Sequence, residues 1–162
     1  MNPVVLSSQS NYLVTFLASF LIWFLFLGLF ILWLVDGKIK KEVVLHAVLA
    51  SMVSWVISLG LKSLLPFPRP FMINNLPPLT LTTPTSLTSF PSAHSTVAFA
   101  IATSVWLHNK KWGLFFITGA CLVGLGRVAS NVHFFVDVIG GALIGISASY
   151  IIKKLHPFKL LS

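Results

Sequence analysis

The chain has 162 residues, 56% of them hydrophobic and 9% charged, and its mean hydropathy of +0.93 excludes an ordinary water-soluble globular domain, in which about a quarter of residues are charged. Eleven Lys and Arg against three Asp and Glu give a net charge of +8, but the bases cluster between apolar runs, which fits anionic lipid headgroups and excludes a nucleic-acid-binding surface. The single cysteine, Cys121, excludes an internal disulfide and, lying in an apolar run, reads as a small buried apolar residue.

The first apolar run covers residues 13–35. No basic segment precedes it and no small-residue cleavage site follows, so it reads as a retained span and not as a secretory signal. Further spans are expected over residues 43–61, 91–107, 112–126 and 134–152, the third and fourth being short for full crossings. The fold class is therefore all-α: a polytopic transmembrane bundle of about five spans, forming one integral membrane domain over residues 1–162 with its motif-bearing core at about 43–152.

Lys38, Lys40 and Lys41 follow the first span, Lys110 and Lys111 the third, and Lys153, Lys154 and Lys159 the fifth. With five crossings these connections share one side, which the positive-inside rule makes cytoplasmic, with the N-terminus outside and the C-terminus inside. Asp36, Glu42, His46, His108 and His156 also fall at that inner side. The remaining charges, Lys62, Arg69, Arg127 and Asp137, belong to the outer side together with His94 and His133. The long outer connection, residues 66–90, is stiffened by Pro66, Pro68, Pro70, Pro77, Pro78 and Pro84. Its length suits a functional loop, although a solvated connector over 74–89 is an open alternative.

Ionisable groups at span ends either snorkel outward or serve a purpose. Here they come in company. Lys62 precedes Arg69-Pro70 by seven residues across a proline-stiffened helix exit, so both bases can face one anion. Pro91-Ser92-Ala93-His94 opens the third span, and a proline in the first turn leaves free backbone N–H groups pointing at the outer cavity, an arrangement that attracts phosphate. Gly126-Arg127 is followed by His133 and Asp137, whose i, i+4 spacing puts both on one face if that stretch is helical.

These three stretches resemble the phosphatidic acid phosphatase type 2 superfamily of membrane lipid phosphatases, whose pattern reads Lys, six residues, Arg-Pro; then Pro-Ser-Gly-His; then Ser-Arg, five residues, His, three residues, Asp. The resemblance runs from about residue 43 to the end. Ala93 stands where the pattern has Gly, and Gly126 where it has Ser. The first change keeps the amide N–H, and the second removes a hydroxyl whose bond to a charged group is worth about 1.5 to 3 kcal/mol. The chain is also one span shorter than six-helix members, the lost helix being expected at the N-terminus, outside the catalytic core.

The resemblance implies a phosphohistidine on His133, Asp137 accepting the other ring N–H, and His94 as the acid that protonates the leaving oxygen and then the base that activates water. Lys62, Arg69 and Arg127, with Ser92 and the amide at Ala93, suit the three equatorial oxygens of a transferring phosphoryl group. The substrate implied is a lipid mono- or diphosphate in the bilayer of the cell membrane, best undecaprenyl diphosphate, met at the periplasmic or exterior face without cofactor or metal. Phosphatidylglycerophosphate and phosphatidic acid are alternatives. Other readings of the same residues are a two-histidine, one-carboxylate metal site, disfavoured by three adjacent bases, a small anion transporter or channel, and a vanadate-dependent peroxidase, disfavoured by five spans.

Overall fold

A computed structural model describes residues 8–35, 38–84 and 87–155. Asp36, His156 and Lys159 lie outside the described residues, as do both chain ends and the side chains of Lys38 and Lys40, which the charge pattern assigns to the inner side. The chain folds into helices α1 (Ser8–Ser19), α2 (Leu21–Val35), α3 (Lys38–Leu64), α4 (Pro70–Asn74), α5 (Ala93–His108), α6 (Lys110–Ala129) and α7 (Phe135–Leu155), with no strand among the described residues.

The distribution of side chains is that of a membrane protein. On α3, Ser51, Ser54 and Ser58 are buried while Met52, Trp55, Val56 and Leu59 are exposed. Apolar side chains also face outward on α2, α6 and α7, a larger apolar surface than water-soluble monomers present. Helices α3, α6 and α7 are each long and apolar enough to cross a membrane, and the pair α1 and α2 would make a fourth span. At 16 residues α5 rises about 24 Å, short of a full hydrocarbon core. Helix α6, expected to be short, has 20 residues, because its helical turns continue through the charged ends at Lys110 and Arg127 where an apolar reading stops.

Helix α5 is the axis of the bundle and packs against α3, α6 and α7. Except for Phe99, its residues from Ser95 to Val105 are all buried. Gly141 and Gly145 let α7 lie directly on it: a Cβ at Gly145 would stand 2.2 Å from the Thr96 carbonyl, so only glycine permits this backbone contact. Ser149 bonds the Ala100 carbonyl at 2.8 Å, supplying polar adhesion where apolar burial gives little driving force between helices in lipid.

The first expected span is bent by 48° between α1 and α2. Neither Pro nor Gly lies at the break; instead Arg127 Nη1 donates to the Ala18 carbonyl at 2.9 Å, the acceptor that a continuous helix would offer to the Ile22 amide. At the opposite end of the bundle His46 Nδ1 meets His108 Nε2 at 3.0 Å, and Asn109 caps α6 by accepting the Lys111 and Trp112 amides. Cys121 is exposed on α6, correcting the expectation of a buried residue. Hydropathy does not separate a lipid-facing position from a core position when both are apolar.

Candidate active site

All three motifs converge at one end of the bundle. Lys62 occupies the last turn of α3, Arg69 precedes α4, Ser92 caps α5, Arg127 lies in the last turn of α6, and His133 and Asp137 flank the start of α7. Two loops are locked together to achieve this. Asn74 and Asn131 exchange side-chain amide hydrogen bonds at 2.7 and 3.0 Å, and Asn131 also donates to the Leu76 carbonyl at 2.9 Å. Asn131 adopts a left-handed backbone, φ 62°, which reverses the chain between Arg127 and His133.

Backbone carbonyls aim the bases. Lys62 Nζ donates to the Thr88 carbonyl at 2.5 Å and the Ser89 carbonyl at 3.3 Å. Arg69 donates from Nη2 to the Thr88 carbonyl at 3.1 Å, and from Nη1 to the Val132 carbonyl at 2.9 Å and to His133 Nε2 at 3.3 Å. Arg127 is held through Ala18, and its Nε–H is buried with no partner among the described residues. A buried charged donor left open in this way is what an incoming oxyanion would satisfy.

The two nitrogens of His133 are distinguished by their neighbours. A guanidinium only donates, so Nε2 meets Arg69 with its lone pair and the ring proton belongs on Nδ1, 3.4 Å from Asp137 Oδ2. Burial lowers the His133 pKa to about 4, with Arg127, Arg69 and Lys62 pushing the same way and the Asp137 hydrogen bond opposing. Burial also lowers Arg69 from the ordinary arginine value, against the pull of Asp137.

Lys62, Arg69, His94, Arg127 and His133 line one chamber of about 350 Å³, roofed by Thr80, Leu81 and Thr82 of the long loop. Neutral Nε2 therefore opens on a space surrounded by three cationic side chains, an arrangement chemically able to receive an anionic phosphoryl group. Over residues 43–160 the sequence matches the family described as the PAP2 superfamily. The chain belongs to that superfamily.

The bacitracin transport permease protein BcrC of Bacillus licheniformis is 33% identical over 93% of this PAP2 chain and 73% of its own length. The undecaprenyl-diphosphatase BcrC of Bacillus subtilis strain 168 is 27% identical, over 94% of this chain and 80% of its own. Among solved structures, Aquifex aeolicus LpxE superposes with a TM-score of 0.77 at 31% identity, covering 93% of this chain and 88% of that one.

Of the residues expected in the PAP2 site, Lys62, Arg69, Ala93, His94, Arg127 and His133 line the chamber, with Asp137 behind His133. Ser92 does not line it. Its hydroxyl is 3.4 Å from the Ser95 amide, as the cap of α5, and accepts the Ser95 hydroxyl at 3.0 Å. Pro91 thus precedes the cap of α5, where the sequence suggested a proline in the first turn, because Ser92 is the better capping residue. Sequence reading missed Ser89, which donates to Asp137 Oδ2 at 2.5 Å, and Ala18, which holds Arg127. A serine in a Ser/Thr-rich loop and an alanine carbonyl in an apolar run carry no local signal.

Proposed function

We propose that the protein is an outward-facing membrane lipid phosphatase that hydrolyses undecaprenyl diphosphate through a phosphohistidine at His133, without a metal. The observation that carries this reading is the orientation of His133, with its unprotonated Nε2 beside Arg69 in the cationic chamber and Nδ1 toward Asp137. The PAP2 family and the undecaprenyl-diphosphatase relative support both the reaction class and the lipid.

In the first step Nε2 attacks phosphorus while Lys62, Arg69 and Arg127 hold the nonbridging oxygens; the bond to the bridging oxygen breaks, and His94 gives that oxygen a proton. Polyprenyl monophosphate leaves. Neutral His94 then takes a proton from water, whose oxygen attacks the phosphohistidine, so inorganic phosphate departs and His133 is regenerated. Diphosphate suits this site because its leaving group is itself a phosphate and needs less protonation than an alkoxide.

An apolar cavity of about 380 Å³, lined by Trp23, Met52 and Trp55, shares Ala93 and His94 with the chamber, so a lipid tail can run toward the bilayer from beside the proton donor. We read α5 as a fifth crossing, shortened because its outer end opens into the chamber. The N-terminus then lies outside and the basic connections inside.

The test is phosphate release by purified protein in detergent with EDTA, from polyprenyl diphosphate, phosphatidylglycerophosphate and phosphatidic acid. The expected result is the highest kcat/KM for the diphosphate and no phosphoenzyme in His133→Ala. A preference for phosphatidic acid overturns the substrate, an EDTA-sensitive reaction overturns metal independence, and equal phosphoenzyme in His133→Ala overturns the nucleophile.

A further inference from the structure

Asp137 is held by a residue outside the three motifs. Its Oδ2 accepts the Ser89 hydroxyl at 2.5 Å and the Phe134 amide at 2.8 Å, whereas His133 Nδ1 stands 3.4 Å from the same oxygen. That last contact is long for an N–H···O bond, so the other two set where the carboxylate sits. Phe134 belongs to the same turn as Asp137. Ser89 reaches it from the far side, across 48 positions of sequence.

Ser89 is itself fixed. It is fully buried, its amide donates to the Phe67 carbonyl at 3.0 Å, and its carbonyl accepts Lys62 Nζ at 3.3 Å. Its hydroxyl therefore leaves from a defined point and meets a carboxylate that is also buried. Removing that donor leaves Oδ2 with the Phe134 amide of its own turn and the more distant His133 Nδ1, a looser hold that lets the carboxylate shift relative to the imidazole.

We propose that Ser89 is a positioning residue of the reaction: its hydroxyl orients the Asp137 carboxylate, and through it the His133 ring, so that Nε2 stays aimed at phosphorus. This rests on the nucleophile assigned above. Rates depend steeply on such alignment, since a displacement of about 1 Å in a reacting group costs on the order of a hundredfold. Ser89 touches neither substrate nor reacting atoms, so its effect belongs to kcat and not to phosphate affinity. Ser89→Ala preserves the backbone carbonyl that tethers Lys62, which separates the two roles of this residue.

The experiment uses full-length protein in detergent, with inorganic phosphate as a competitive inhibitor. Ser89→Ala is expected to lower kcat by roughly 10- to 100-fold while the inhibition constant for phosphate stays near wild type, and Ser89→Thr, which keeps the hydroxyl, to recover most of the loss. In an Asp137→Asn background the same Ser89→Ala change should cost little more, because the two residues act as a unit. Wild-type kcat in Ser89→Ala, a matching loss of phosphate affinity, or full additivity with Asp137→Asn would each overturn the proposal. Should Ser89→Ala fail to fold, Ser89→Cys fills the same space with a weaker donor, and wild-type kcat there overturns it equally. A His133→Ala variant that still turns over would instead refute the underlying site, whereas an inactive His133→Ala beside an indifferent Ser89→Ala would refute only the role of Ser89.

Discussion

In the proposed reaction, His133 is suited to act as the nucleophile because its two nitrogens have different neighbours. Asp137 lies on the Nδ1 side and Arg69 on the Nε2 side, so one tautomer satisfies both contacts. Neutrality is secured by burial, which holds the ring pKa near 4. Protonation would occupy Nε2, so attack requires the ring to be neutral, and the depressed pKa extends that condition downward in pH. Phosphoenzyme formation from a lipid phosphate with a good leaving group should therefore hold its rate from about pH 8 to about pH 5, where an ordinary histidine of pKa about 6.5 is mostly protonated. Rapid-quench measurement of the first turnover checks this, and a midpoint near 6.5 would show that the ring is not shielded from water in the working enzyme.

At the scale of elements, Gly126 bears on how α1 joins the site. A Cβ at this position would come within 2.7 Å of the Leu17 carbonyl carbon and 2.8 Å of the Ala18 nitrogen, so the missing side chain is what admits α1 against α6. The helix that occupies this space also supplies the Ala18 carbonyl to Arg127. Gly126→Ser is thus expected to push α1 away instead of adding a phosphate contact. Overpacking of this kind costs about 1 to 3 kcal/mol. The variant should show a lower thermal midpoint in detergent and a reduced kcat/KM; a rise in kcat/KM at an unchanged midpoint would contradict the packing argument. The N-terminal segment, which precedes the motif-bearing core expected at about 43–152, is thus in direct contact with Arg127 of the chamber.

For the whole molecule, the separation of charge between the two ends of the bundle has a direct consequence for orientation. Lys62, Arg69 and Arg127 surround the chamber, while Lys110, Lys111, Lys153 and Lys154 lie at or near the opposite ends of α6 and α7. With the positive-inside rule, this separation supports the outward-facing chamber proposed above. In intact cells, a cysteine replacing Lys110 should react with an impermeant maleimide only after the cytoplasmic side is opened, and one replacing Thr82 without that treatment. Cys121 must be substituted first, since it is exposed on α6. Labelling in the opposite sense would turn the chamber toward the cytoplasm and overturn the proposed outward reaction.

The amino-acid sequence by itself determined the helical membrane class and the ionisable side chains that meet in the chamber, with Asp137 behind it, but it also offered Ser92, which the fold uses as the cap of α5. A charge is expensive in hydrocarbon, so Lys62, Arg69, Arg127 and Asp137 stand out against apolar spans, and the spacings within each motif are local. Only the tertiary structure decided what those groups lean on. The Thr88 and Val132 carbonyls that aim Arg69, the Ala18 carbonyl that bends the first span, and the Ser89 hydroxyl on Asp137 come from segments distant in sequence and chemically ordinary. The burial of Ser54 and the exposure of Cys121 were likewise decided by packing, because in a bilayer the lipid face and the core are equally apolar and hydropathy cannot choose between them.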